Sequence, residues 1–163
     1  MSTLDKSHQE AVETVRELIK GIDTAMFTTI SEEGLVFRPM KTQEVEFDGD
    51  LWFMTKKDTS KFGEIIHDPR VNVVYADKSY VSIRGTAKIV EDLEKKKEFW
   101  SAGYNTFLKT TYNDPDVILI QVHAEAAEYW KSGNLAEMAT YMFKRITHQD
   151  TEKSDLNKTI ELE

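Results

Sequence analysis

Two short groups of residues carry the chemistry that binds an anion. One is the turn Thr55-Lys56-Lys57-Asp58-Thr59-Ser60-Lys61, which sets hydroxyls and ammonium groups beside the start of a short apolar helix pattern. The other is Arg38-Pro39-Met40-Lys41-Thr42. A helix start offers unpaired N–H groups and a partial positive charge, and Ser, Thr, Lys and Arg add donors that suit a phosphate. Charge-assisted bonds from a guanidinium fork and an ammonium are about twice as strong as neutral ones. In a chain of net charge −8, a local basic patch asks for a reason. Read alone, the turn fits a solvated loop with a Thr or Ser cap at least as well as an anion site.

Other devices are missing. The four histidines, His8, His67, His123 and His148, are scattered, with no i, i+4 pair to hold a metal. There is no GxSxG elbow, no GxGxxG and no Walker A loop. The absence of cysteine removes disulfides, thiolate catalysis and Cys-based metal sites, and agrees with a cytoplasmic protein. No apolar leader or bilayer-length run occurs, so no membrane role is expected. The acidic balance argues against a nucleic-acid partner, which needs a basic face.

The elements that must position these groups follow from periodicity. At 163 residues, 40% hydrophobic and 31% charged, the chain is read as one soluble domain over 1–163. Apolar residues at Ala11, Val12, Val15, Leu18 and Ile19 predict a helix over 7–20, with Ser7 and Glu10 as a capping box and Gly21 as its stop. Strands are expected over 24–30, 35–47, 51–55, 71–76, 79–90 and 117–130, with Pro39 marking an edge or bulge. Short helices fit 60–67 and 91–102, and the stretch 103–116 reads as a helix followed by a loop. Leu135, Met138, Ala139, Met142 and Phe143 predict a C-terminal helix over 135–146, and the polar residues from 148 onward read as a frayed tail. Hairpin-length turns dominate, with no βαβ alternation. This predicts a mainly β fold, a small antiparallel barrel with flanking helices and a core over about 24–130. The turn Asp48-Gly49-Asp50 predicts a hairpin that makes the second and third strands neighbours. That pairing would set Met40 to Thr42 opposite Lys56 to Asp58 and bring the two basic groups together.

At these residues the chain resembles the FMN-binding split-barrel proteins related to pyridoxamine 5′-phosphate oxidase, and most of all their bacterial general stress protein branch. The resemblance rests on Arg38-Pro39-Met40, Leu51-Trp52-Phe53-Met54-Thr55, Ser60-Lys61 leading into Phe62 to Ile66, and Asp68-Pro69-Arg70-Val71. It continues through Val81-Ser82-Ile83-Arg84-Gly85-Thr86-Ala87 and Glu128-Tyr129-Trp130. It implies a homodimer of six-stranded split barrels with FMN at the subunit interface. Carried over, Arg38 and Lys61 bind the phosphate, and Thr55 and Ser60 add hydroxyls. Pro39, Met40, Lys41 and Gln43 line the ring and ribityl side, Met54 lies beside the ring, and Tyr80 and Trp130 reach the flavin. Where the oxidase has an Arg-Lys pair this chain has Ser60-Lys61, and the oxidase's C-terminal substrate motif has no match. Pyridoxamine phosphate oxidation is therefore not expected. Two functions remain open: an FMN-dependent oxidoreductase acting on a small substrate, and a non-catalytic module holding FMN, or a haem or deazaflavin in its place.

Overall fold

The computed structural model describes residues 3–43, 46–77, 79–131 and 157–162. In chain order the elements are α1 (Thr3–Ile19), β1 (Thr24–Ser31), β2 (Gly34–Lys41), β3 (Asp50–Lys56), α2 (Ser60–His67), β4 (Arg70–Ala76), β5 (Ser79–Val90), α3 (Leu93–Phe99), α4 (Ala102–Leu108), β6 (Val117–Lys131) and β7 (Asn157–Glu161). The six expected strands are present, and β7 makes a seventh. The expected helix over 135–146 lies outside the described residues. No helix among the described residues is long and apolar enough to cross a membrane.

All strand pairs are antiparallel, in the order β2-β1-β4-β5-β6-β3, with β7 also paired to β6. This corrects the expected hairpin. β2 stops at Lys41 rather than running to residue 47 and, among the described residues, pairs only with β1, while β3 pairs along its whole length with β6, from Asp50↔His123 to Lys56↔Val117. The turn at 48–50 does form: Asp48 Oδ1 accepts from the Asp50 N–H, and Gly49 takes φ +116. Its direction is set by β6, because Gly49 O accepts from Ala124 N. β2 and β3 end up as the two ends of the sheet and approach each other without a ladder, leaving the barrel split.

Alternation explains the interior. Ala25, Phe27 and Thr29 of β1 are buried, as are Val71, Val73 and Tyr75 of β4 and Val81, Ile83 and Ala87 of β5. Phe27 and Phe53 meet edge to face at 5.1 Å near the centre. Val12 and Val15 of α1 complete this core. α1 begins at Thr3, four residues before the expected start, so Ser7 lies inside the helix and caps nothing. β3 and the first half of β6 are buried on both faces, which is why Val117, Ile118, Leu119 and Ile120 form an unbroken apolar run. Their outer face carries a second cluster, Met54, Tyr104, Val117 and Leu119, covered by α3 and α4. The expected single helix over 91–102 breaks at Trp100, whose backbone is extended at φ −72, ψ 133.

A charged side chain ties this outer layer down. Lys96 on α3 is 6% exposed, and its Nζ donates to Val117 O at 3.0 Å and Asp114 O at 3.3 Å. Lys96→Ala is expected to lower stability by about 2 kcal/mol in urea unfolding, since bonds from charged donors contribute about 1.5–3 kcal/mol. An unchanged midpoint would show that the two carbonyls find water at no cost.

The tail also differs from expectation. Residues 157–161 form β7 on the second half of β6, where β3 has left the same edge, and Leu162 is buried in the main core. Leu162 N donates to Glu125 O at 2.8 Å, at the point where β6 passes from one partner to the other.

Candidate functional site

The inward alternation of β2 places Arg38 between Val36 and the buried Met40, and that is an unusual position for a cation. Its guanidinium is held from two sides. Nη1 donates to Thr29 Oγ1 at 2.8 Å, and Nη2 meets Glu64 Oε2 at 3.0 Å. Thr29, fully buried on β1, donates in turn to Glu64 Oε2 at 2.5 Å. Thr29 lies diagonal to Arg38, because its register partner is Val36 while that of Arg38 is Phe27. α2 packs on β1 and β5 and so delivers Glu64 from outside the ladder.

Lys61, in the first turn of α2, joins this cluster. Burial pushes its ammonium below the ordinary lysine value, the nearby Arg38 guanidinium lowers it further, and Glu64 and Asp58 oppose the shift. Two cations thus share one close carboxylate. The end of α2 adds to the positive character. It has no acidic residue in its first turn, and its N-cap Thr59 makes no side-chain cap bond, because Thr59 Oγ1 turns back to Lys56 O at 2.8 Å. Uncapped N–H groups beside Arg38 and Lys61 suit an anion.

The other end of β2 opens into a cavity of about 710 Å³. Lys41 and Gln43 line it, while Arg38 and Lys61 do not. Three residues at the strand rise put Lys41 roughly 10 Å along β2 from Arg38. Lys41 Nζ sits 5.0 Å from the centre of the Tyr104 ring, and Gln43 Nε2 donates to the Tyr104 hydroxyl. Between the two ends, β2 has a ladder partner on one side only among the described residues, so alternate N–H and C=O groups along its other side have no strand partner there.

The structure thus brings Arg38 and Lys61 together, with Ser60 exposed at the same helix start, though through α2 rather than through a hairpin. Pro39 is exposed on the β2 edge, Met40 is in the main core, and Met54 packs against Tyr104. Thr55 is buried in β3. Tyr80 and Trp130 stand apart. They are cross-strand partners on β5 and β6, and β5 is three strands from β2, roughly 14 Å at the usual spacing.

Sequence reasoning missed Thr29, Glu64 and Tyr104. Glu64 carried a usable signal, since it lies three residues after Lys61 and so on the same helix face. Thr29 had none beyond the alternation of its strand. Tyr104 falls in the stretch with the weakest periodicity, and nothing local marks it.

Comparison with known proteins gives a consistent picture. The family model described as "Pyridoxamine 5'-phosphate oxidase like" matches residues 10–153. No curated protein matches the chain. Among solved structures, the General Stress Protein 26 from Bacillus anthracis str. Sterne is 24% identical, with a TM-score of 0.62 over 74% of this chain and 92% of that one. A general stress FMN/FAD binding protein from Xanthomonas citri is 23% identical, with a TM-score of 0.67 over 77% and 92%. A putative general stress protein 26 from Jannaschia sp. CCS1 is 20% identical, with a TM-score of 0.65 over 98% and 99%. At these identities the structures establish the split-barrel fold.

Proposed function

The chain belongs to the pyridoxamine 5′-phosphate oxidase-like family, and we propose that it binds FMN, with Arg38 and Lys61 holding the phosphate. The observation that carries this reading is the convergence of those two cations on an uncapped helix start beside the open edge of β2. Ser60 and the first N–H groups of α2 add donors. Pro39 and Met40 border the ribityl chain, and Lys41 and Gln43 lie toward the ring. The similarity to the FMN/FAD binding protein of Xanthomonas citri supports a flavin.

Bound flavin supplies hydride transfer, and the chain's own groups bind, orient and set the local field. Glu64, the close carboxylate, is engaged by Arg38 and Thr29 and so holds the guanidinium in place instead of moving a proton. We therefore read the protein as a stress-type flavoprotein in the cytoplasm, acting as an oxidoreductase on a small substrate. Reoxidation by oxygen alone, with no acceleration by any donor, would reduce this to a flavin carrier.

The same reading includes a homodimer. Phe27, Phe47, Phe53 and Tyr75 are absorbed by the core of one chain. Among the large apolar residues left outside are Phe37 at 66% exposure and Leu35 at 76% on β2, with Tyr80 on β5. Pairing two copies would cover these residues. It would also let Tyr80 and Trp130 of one copy reach the Arg38–Lys61 cluster of the other, which they do not do within one chain. The test is FMN titration followed by desalting, with mass by light scattering. Retained flavin absorbance and a mass of two chains are expected, and a colourless product overturns the proposal.

Lys61 makes binding depend on pH. Its ammonium is disfavoured in the free protein and favoured by a bound phosphate, so binding takes up a proton above the lowered value. FMN affinity should fall as pH rises through that value, earlier than for an ordinary lysine. Lys61→Arg should flatten this alkaline limb in a fluorescence titration, because a guanidinium stays charged throughout. An identical limb in the variant would assign the titration to another group.

A further inference from the structure

Glu64 puts a negative charge into the Arg38–Lys61 cluster at the place where the proposed ligand brings its own. A guanidinium carries five N–H donors, and the cluster uses two of those on Arg38, one toward Thr29 Oγ1 at 2.8 Å and one toward Glu64 Oε2 at 3.0 Å. A phosphate at Arg38 therefore shares the guanidinium with a carboxylate that is already bound to it.

These charges are only partly screened. The Arg38 and Glu64 side chains are 17% and 16% exposed. Lys61 precedes Glu64 by three residues on the same face of α2, and Glu64 favours its charged form against burial. Asp58, the other carboxylate that acts on Lys61, is exposed and so better screened. Arg38 and Lys61 set against Glu64 leave a surplus of one positive charge, with the partial charge of the α2 start added to it. A phosphate monoester, with a second pKa of about 6, is mostly doubly charged at neutral pH, whereas a phosphodiester carries one charge. The surplus matches the diester. The monoester exceeds it, and Glu64 repels each of its two charges.

We propose that, in the phosphate site proposed for Arg38 and Lys61, Glu64 is a specificity-determining residue. It lowers the preference for a doubly charged phosphate, so that a flavin held through a singly charged phosphodiester binds nearly as well as a monoester. This rests on the flavin phosphate reading and adds to it the charge of the group accepted. Both bonds to Glu64 fall on one oxygen, Oε2, which a glutamine carbonyl can supply. Glu64→Gln thus removes the charge and keeps the contacts.

The probes are FMN, its monomethyl phosphate ester and riboflavin 5′-sulfate at pH 7.5, with riboflavin as the uncharged reference, each titrated by flavin fluorescence. The sulfate carries one charge without the added methyl group, and so separates charge from bulk. In the parent, FMN should bind within about threefold of the two singly charged probes. Glu64→Gln should tighten those probes about threefold and FMN about tenfold, the effect of an ion interaction at a partly exposed position acting once and twice. Riboflavin should bind more weakly than all three and should not respond. Glu64→Ala also gives up the bonds to Arg38 and Thr29, which acts on every charged probe alike, so the ratio of FMN to methyl ester should still rise. An unchanged ratio in both variants, or a parent that already favours FMN by more than about tenfold, would overturn the proposal and leave the phosphate site standing. Riboflavin binding as tightly as FMN would instead sink the phosphate site, and this proposal with it.

Discussion

Replacing Arg38 and Lys61 together with alanine is expected to weaken FMN binding by more than about 100-fold. In the proposed site each residue would contribute at least one charge-assisted bond to phosphate, and such bonds contribute about 1.5–3 kcal/mol apiece. The cluster's balance sharpens the effect, because the double variant leaves Glu64 beside the anion with no close cation to offset it. Arg38→Ala by itself carries a second consequence. Glu64 loses its counter-ion and Thr29 loses the guanidinium, keeping only their bond to each other, so stability should fall as well. Arg38→Ala combined with Glu64→Gln separates the two effects. It should recover stability in urea unfolding while FMN stays weakly bound. If the Arg38→Ala, Lys61→Ala protein binds FMN within about threefold of the parent, the phosphate lies elsewhere.

Gly85→Ala is expected to cost about 3 kcal/mol, the upper end of overpacking costs. The ladder between β5 and β6 changes register between Arg84 and Gly85, where Arg84 faces Ala126 and Gly85 faces Ala124. A β-carbon at Gly85 would lie 2.4 Å from His123 O and 2.9 Å from Val122 Cγ1. The nearer atom is backbone, in the strand that also carries β3, so no side-chain rotation relieves the clash. Glu125, the extra residue of this bulge, accepts from Leu162 N through its carbonyl and from Thr86 Oγ1 at 2.5 Å through its carboxylate. The bulge therefore sets where β6 releases β3 and takes up β7. Gly85→Ala should lower the urea midpoint with little change in slope, and β7 amides should lose hydrogen-exchange protection first. An unshifted midpoint would mean that the strands repack around the added methyl.

Much of the secondary structure was legible because its cause is local. Alternation in Ala25, Phe27 and Thr29, or in Val71, Val73 and Tyr75, reports a half-buried strand whatever its partner. The run Val117 to Ile120 was likewise a strand on sight. What it could not report was that both faces are covered, because α3 and α4 lie on the outer one. Helix boundaries were less legible. The Ser7–Glu10 pattern imitated a cap inside α1, and the polar composition of residues 157–161 concealed a strand whose stability comes from β6 and from Leu162.

The residue types of the candidate anion cluster, Arg38 on a strand and Lys61 at a helix start, were visible in one dimension, and the family resemblance named them as phosphate ligands. Their meeting was inferred from a hairpin that does not form. It is α2, packed on β1 and β5, that carries Lys61 and Glu64 to Arg38. Local turn chemistry at Asp48-Gly49-Asp50 bends the chain but does not choose its neighbour. That choice falls to β6, whose apolar residues bury Leu51, Phe53 and Met54 over a full ladder. The same long-range packing separates Tyr80 and Trp130 from the cluster and folds Tyr104 over Lys41 and Gln43. Periodicity is written residue by residue, so the elements and the residue types of the candidate site could be read directly. Which strand pairs with which depends on the free energy of burying whole faces together, and no short window of sequence contains it.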